Sequence, residues 1–150
     1  MSAVQKITPP RVKWSVEDYI EAEKKNEVRH EYVQGDLYAI AGASEEHNFI
    51  SGNLFSALRA HLKGKPCKVF IHDMKVKLNA QVTLFYYPDV MVVCDPEDDE
   101  RYFKTKPRIV VEVISDSTRD TDTREKLITF IQMPSLEEYV LVEQNAGRAK

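Results

Sequence analysis

The 150-residue chain has few of the residues that mark extracellular or membrane proteins. Its two cysteines, Cys67 and Cys94, are too few for a disulfide framework or a cysteine-rich zinc site. Their apolar neighbours predict buried free thiols in a cytoplasmic protein. No apolar run reaches the roughly 18 residues of a membrane-spanning helix. Residues 1–10 also lack the apolar core of a secretory signal, so we predict no contact with a membrane.

The chain also lacks an excess of positive charge. Its 21 Lys and Arg against 24 Asp and Glu give a net charge of −3, so any nucleic-acid site must be local. Its five glycines form no GxGxxG or Walker pattern, and no G-x-S-x-G motif surrounds a serine. The acidic run 95–100 lacks the spacing of an EF-hand loop and is interpreted as solvated.

The composition is that of one globular domain, with 43% hydrophobic and 30% charged residues. We predict an extended arm over residues 1–14 and a single domain over 15–150. Capping residues and helical spacing predict helices at about 16–24, 45–63 and 122–132, the last with Leu127, Phe130 and Ile131 on its apolar side. Strands are predicted on both sides of Gln34–Asp36 and at 67–71, 74–78, 89–94, 109–114 and 139–142. The order predicts an α/β fold with helices on the faces of a sheet and a parallel βαβ unit at the end.

Two acidic residues occur where the strands are most apolar. Glu112 lies within Ile109–Ile114, and a carboxylate there is costly unless it is paired, protonated or bound to a metal. Asp89 opens the other apolar strand. If both face the same side of neighbouring strands, a divalent cation such as magnesium or manganese relieves their repulsion. The alternatives are a Glu112 that is solvated or paired with Arg or Lys, and an Asp89 that only starts a strand.

Lys126 supplies a third candidate. It follows Asp122 by four residues on the next helix and could activate or hold an attacking water beside a metal. The structural alternative is a surface ion pair between Asp122 and Lys126.

These residues together resemble a known family. Pro88-Asp89 followed by Val111-Glu112-Val113 resembles the paired acidic signature of the PD-(D/E)XK nuclease superfamily, and more closely the Uma-two-type endonucleases. The resemblance covers roughly residues 15–145. Its other matching segments are Glu31–Asp36, Ser44–Asn48, Asp73–Val76, Tyr87–Val93, Val111–Ser115, Ser117–Arg119, Asp122, Glu125–Lys126 and Pro134–Val142.

The resemblance implies a restriction-endonuclease-like core, with a mixed central sheet flanked by helices. It implies Mg²⁺ or Mn²⁺ held by Asp89, Glu112 and the backbone carbonyl of Val113. The superfamily places its lysine two residues after the glutamate, where this chain has Ile114, and Lys126 is the matching position in this branch. Glu31, Glu46 and His47 match positions near the metal. Relatives usually continue past the last strand, so we expect a shortened C-terminus.

The leading hypothesis is a metal-dependent endonuclease that hydrolyses phosphodiester bonds of nucleic acid, with DNA as the expected substrate. The alternative is a catalytically inactive module of the same fold that binds or regulates, which the negative net charge favours. A third possibility is an α/β domain whose acids are paired and purely structural. Nucleases of this type often act as dimers, so a homodimer is a further expectation that no residue of the sequence fixes.

Overall fold

The computed structural model describes residues 12–79, 82–115 and 121–145, without the side chains of residues 121–123. Within these ranges, the chain forms three helices and nine strands. The helices are α1 (Val16–Glu23), α2 (Glu45–His61) and α3 (Thr121–Phe130). The strands are β1 (His30–Val33), β2 (Asp36–Ala39), β3 (Lys68–Ile71), β4 (Lys75–Asn79), β5 (Thr83–Tyr86), β6 (Val90–Val93), β7 (Phe103–Lys104), β8 (Ile109–Ile114) and β9 (Glu138–Glu143).

The strands form two mixed sheets, where the sequence predicted a mixed central sheet flanked by helices. The first sheet has the order β2-β1-β5-β4-β7 and the second β3-β6-β8-β9. Each sheet is antiparallel except for one parallel pair, β4 with β7 and β8 with β9. The predicted mixed α/β class is therefore confirmed, and so is the parallel β8-α3-β9 unit.

The two middle strands of the second sheet are almost entirely buried. All four residues of β6 are buried, and Val110, Val111, Val113 and Ile114 of β8 are buried as well. Strands buried on both faces are continuously apolar, as predicted for these two segments. Helix α2 packs against β3, β6 and β8 of this sheet.

The N-cap residues confirm the predicted starts of two helices. The Ser15 side chain accepts a hydrogen bond from Asp18 N, and that of Ser44 accepts one from His47 N, both at 3.1 Å. These bonds satisfy amide groups that the first turn of a helix leaves without a partner. The turn at Gln34-Gly35 also confirms the predicted hairpin, because both residues have positive φ, 51° and 90°.

Helix α3 faces the core with only one of the three residues predicted, Phe130. Phe130 is fully buried, but Leu127 and Ile131 are 36% and 63% exposed. Lys126, four residues before Phe130 and therefore on the same face, is only 8% exposed. The apolar residues alone did not identify the buried face of α3, because the charged residue Lys126 occupies an inward position.

Two strands escaped prediction. Strand β5 is a short apolar run that lies between β1 and β4 in the first sheet. Three of its four residues are buried, so its sequence lacks the alternation of apolar and polar residues that predicts a strand. Strand β7 has two residues, which is too short for any periodicity.

The prediction of free, buried cysteines is wrong, because Cys67 and Cys94 form a disulfide and are both half-buried. Strand β3 pairs antiparallel with β6, with Lys68 opposite Val93. The next pair outward is Cys67 with Cys94, whose Cα atoms are 4.0 Å apart. The cytosol keeps most thiols reduced, so this bond runs against the predicted cytoplasmic location, which stays a prediction.

The acidic loop is not wholly solvated. Asp98 is 7% exposed, and its carboxylate accepts hydrogen bonds from Thr105 N at 3.0 Å and Lys106 N at 2.8 Å. It therefore holds the turn between β7 and β8. Of the predicted arm, residues 1–11 lie outside the described ranges. None of the described helices is long and apolar enough to cross a membrane.

The disulfide predicts a measurable contribution to stability. Closing a loop of 27 residues restricts the unfolded chain, so Cys67→Ser with Cys94→Ser should lower the free energy of unfolding by about 3 kcal/mol. Urea unfolding with and without reductant measures this difference. The double variant serves as the control, since reductant should not affect it. Two thiols titrated in the unreduced, denatured wild-type protein would contradict the assignment.

Candidate active site

Three polar side chains lie in one row across the second sheet. Ile71 of β3 pairs with Val90 of β6, and Val90 pairs with Val111 of β8. One residue beyond the ends of β3 and β6, His72 lies beside Asp89, with His72 N donating to Asp89 O at 3.1 Å. Continuing the register of β6 with β8 by one position brings Asp89 opposite Glu112. Residues directly opposite each other on antiparallel strands point to the same face. Strand pairing therefore brings together the imidazole of His72 and the carboxyl groups of Asp89 and Glu112.

The Asp89 carboxylate is held by contacts to both of its oxygens. Oδ2 accepts a hydrogen bond of 2.7 Å from Val113 N, and Oδ1 lies 3.2 Å from Nε2 of His47. The N-cap bond of Ser44 fixes His47 in the first turn of α2, where the positive end of the helix dipole favours a nearby carboxylate. Asp89 is thus tied to β8 on one side and to α2 on the other.

Glu112 lies in an environment that disfavours its charge. Burial is the main cause that raises the pKa of its carboxyl group well above the usual value, and the charges of Asp89 and Glu31 add to the effect. The Lys126 ammonium acts in the opposite direction. The carboxyl groups of Glu112 and Asp89 are close enough to share a hydrogen bond, while Oε1 of Glu112 is buried without a partner among the described residues.

Lys126 reaches the same place from α3. Its Nζ lies 2.9 Å from Oε1 of Glu31 on β1, and 5.1 Å from the centre of the Tyr86 ring. Its side chain is only 10% exposed. Lys126 thus forms an ion pair with Glu31, and the Asp122 side chain lies outside the described residues.

His72 is a site residue that our sequence reasoning missed. Its backbone has φ +52°, in the left-handed region that is uncommon for residues other than glycine. His72 N donates to Asp89 O at 3.1 Å, and Arg29 Nη1 donates to His72 O at 2.5 Å. Burial is the main cause that lowers the pKa of the His72 imidazole, which favours the neutral ring. Pairing the two predicted strands 67–71 and 89–94 would have revealed this residue.

These groups line one cavity of about 950 Å³. Among the predicted site residues, it is lined by Glu31, His47, Asp89, Glu112, Val113 and Lys126. Glu46 is half-buried in the first turn of α2 and does not line this cavity within the described ranges. Arg29 and four tyrosines also contribute to the wall: Tyr38, Tyr86, Tyr87 and Tyr139.

The donor set fits a divalent cation. Two carboxyl groups meet with a buried oxygen, Oε1 of Glu112, that has no partner among the described residues. Within the same ranges, neither carboxylate forms an ion pair with an arginine. Oxygen ligands of this kind suit magnesium and manganese. His47, His72 and Asp89 also present one ligand atom each within 4.8 Å of one another.

The raised pKa of Glu112 predicts a pH-dependent stability. An acid whose pKa is higher in the folded state stabilises the fold fully below its unfolded pKa, and this contribution is lost as the pH rises through the folded pKa. In the presence of a metal chelator at neutral pH, Glu112→Gln should therefore unfold at a higher urea concentration than the wild type. This difference in urea midpoint should disappear below about pH 4. Glu97→Gln, an exposed change, is the control. If Glu112→Gln were instead less stable than the wild type at neutral pH, the raised pKa of the Glu112 carboxyl group would be contradicted.

Comparison with known proteins identifies relatives along most of the chain. Residues 16–150 match the Uma2 family, described as "Putative restriction endonuclease". Uncharacterized protein slr1290 of Synechocystis sp. (strain ATCC 27184 / PCC 6803 / Kazusa) is 36% identical over 138 residues, which are 91% of this chain and 72% of that protein. Uncharacterized protein sll1609 of the same organism is 31% identical over 136 residues, 89% of this chain and 76% of that protein.

A solved structure also shares the fold. It is the crystal structure of "a putative nuclease belonging to DUF820" from Anabaena variabilis ATCC 29413, with a TM-score of 0.66 and 12% identity. The match covers 89% of this chain and 74% of that chain. The fold is thus nuclease-like, and the resemblance found in the sequence is confirmed. The chain belongs to the Uma2 family of restriction-endonuclease-like proteins.

Proposed function

We propose that the chain is a divalent-metal-dependent endonuclease that hydrolyses phosphodiester bonds of nucleic acid, with DNA as its substrate. The observation that carries this proposal is the meeting of the Asp89 and Glu112 carboxyl groups beside a buried lysine. Membership of the Uma2 family supports the hydrolytic reaction. Asp89, Glu112 and the backbone carbonyl of Val113 would hold Mg²⁺ or Mn²⁺.

The residues around this centre have separate tasks. When bound, the cation would supply a Lewis acid that polarises the scissile phosphate and lowers the pKa of a coordinated water. Val113 N and His47 hold the Asp89 carboxylate in place. Lys126 would orient the attacking water and stabilise negative charge on the phosphate, while Glu31 positions the Lys126 ammonium.

The cavity wall supports a nucleic-acid substrate. Arg29 and Lys126 add positive charge beside the carboxylates, although the chain as a whole is negative. Tyr38 lines the cavity with 51% of its surface exposed, so its ring is available to stack on an unpaired base. A local site of this kind replaces the global positive charge that the chain lacks.

One observation favours the second candidate, a nuclease-like module that binds without turnover. Lys126 already bonds to Glu31 at 2.9 Å, and an ammonium engaged in this way has fewer donors left for a water molecule. The nicking assay below separates the two functions, because a module without turnover would bind the plasmid and leave it uncut. A homodimer remains a prediction, which light scattering of the purified chain tests.

The proposed function predicts the loss of DNA cleavage when either carboxylate is neutralised. Asp89→Asn and Glu112→Gln keep the side-chain shape but weaken cation binding, so plasmid nicking with Mg²⁺ or Mn²⁺ should fall at least about 100-fold. Asp99→Asn, an exposed change outside the cavity, should nick at the wild-type rate. Equal nicking by all four proteins would identify a contaminating nuclease.

Lys126 is expected to act on the chemical step. Lys126→Met retains most of the side-chain volume and should slow single-turnover cleavage by about 100-fold, with DNA affinity within about threefold of wild type. Lys104→Met, an equally buried lysine outside the cavity, is the matched control. Wild-type cleavage by Lys126→Met would leave that lysine a purely structural partner of Glu31.

A further inference from the structure

We infer that His47, His72 and Asp89 form a nitrogen-containing face of the metal centre that selects Mn²⁺, Co²⁺ or Zn²⁺ over Mg²⁺. The inference concerns which ion binds, and it rests on the proposed function only for the use of that ion in phosphodiester hydrolysis. Asp89 belongs both to this face and to the carboxylate pair with Glu112. The two imidazoles therefore alter the chemistry of a site that would otherwise offer oxygen alone.

The three side chains are close enough to share one ion. Their ligand atoms lie within 4.8 Å of one another, and His47 Nε2 is 3.2 Å from Asp89 Oδ1. Two ligands that each lie about 2.1 Å from an ion are at most about 4.2 Å apart. Ligands in cis positions of an octahedral ion are about 3.0 Å apart, so His47 Nε2 and Asp89 Oδ1 already have a suitable spacing. A pair at the 4.8 Å limit would have to close by about 0.6 Å to bind in trans and by about 1.8 Å to bind in cis.

The two imidazoles lie side by side. Their ring centres are 6.1 Å apart, and the ring planes differ by 28°. Nε2 of His72 is buried and lacks a hydrogen-bond partner among the described residues. Buried polar atoms nearly always have a partner, so this nitrogen indicates a ligand that is not part of the polypeptide. The His47 nitrogen that approaches Asp89 is Nε2, at 3.2 Å from Oδ1, and an ion bound by these two atoms would replace that contact.

The backbone of His72 adopts an uncommon conformation that two hydrogen bonds hold in place. Its φ of +52° is unfavourable for a residue with a Cβ atom. Bonds to Asp89 O and from Arg29 Nη1 hold both the amide and the carbonyl group of His72. Strained residues that are fixed from two sides occur preferentially at ligand sites. The ring is therefore positioned before any ion arrives.

The chemistry of the donors determines the expected selectivity. Mg²⁺ prefers oxygen ligands and keeps several waters, whereas imidazole suits the later divalent ions of the first transition series. A centre with two imidazoles and a carboxylate should therefore bind Mn²⁺, and Co²⁺ or Zn²⁺ still more strongly, in preference to Mg²⁺. Without His72, the remaining donors would discriminate less.

Calorimetric titration of the metal-free chain with Mn²⁺ and with Mg²⁺ tests the selectivity. The wild type should bind Mn²⁺ at least about tenfold more tightly than Mg²⁺. His72→Asn, in a residue type that tolerates positive φ, should bind Mn²⁺ about tenfold more weakly and Mg²⁺ within about twofold of wild type. His61→Asn, an exposed change at the end of α2, is the matched control and should behave as wild type. Equal affinities of the wild type for the two ions, or an unchanged Mn²⁺ affinity in His72→Asn, would overturn the inference.

A second measurement needs no variant and covers the case in which His72→Asn does not fold. Pulsed electron paramagnetic resonance of the Mn²⁺-loaded wild type should detect coupling to imidazole nitrogen, and its absence would overturn the inference. The two proposals fail separately. A chain that prefers Mn²⁺ and shows nitrogen coupling but does not cleave DNA supports the metal face and defeats the nuclease. A chain that cleaves DNA but shows no nitrogen coupling supports the nuclease and defeats the nitrogen-containing face of the metal centre.

Discussion

The close approach of the Asp89 and Glu112 carboxyl groups is the interaction around which the site is built. Antiparallel pairing of β6 with β8 brings the two positions opposite each other, and apolar residues on both strands prevent water from solvating Glu112. Burial and neighbouring charge raise the pKa of Glu112. Lys126 offsets part of the electrostatic cost of placing Glu112 here, and Val113 N and His47 contact the Asp89 carboxylate. These three groups come from α3, β8 and α2, so three separate elements contact the carboxylate pair.

The same register explains both ends of the β3–β6 pair. One step beyond Ile71 and Val90, it brings His72 opposite Asp89 at the cavity. One step beyond Lys68 and Val93, it brings together the two cysteines, which form a disulfide. The disulfide and the row of polar side chains therefore lie at opposite ends of a four-residue ladder. Fixing one end limits slippage of the register at the other, because a shift by one residue would turn every side chain to the other face.

The sequence predicted the features that depend on local pattern and missed those that depend on pairing. Glu112 and Asp89 were recognisable because acids are rare within apolar strands, and the capped starts of α1 and α2 because Ser15 and Ser44 precede apolar periodicity. His72 and the disulfide were missed because the pattern of one strand does not identify its neighbour. The apolar face of α3 was predicted correctly for Phe130 and wrongly for Leu127, because Lys126 occupies a buried position beside Glu31.

A crystal structure of the protein soaked in Mn²⁺, with anomalous data collected at the manganese edge, tests the central claim most directly. The account predicts one strong peak with carboxylate oxygens of both Asp89 and Glu112 at about 2.1–2.3 Å, the range for divalent cations with oxygen ligands. A saturated crystal with no peak there, in which the two carboxyl groups still share a proton, would contradict it.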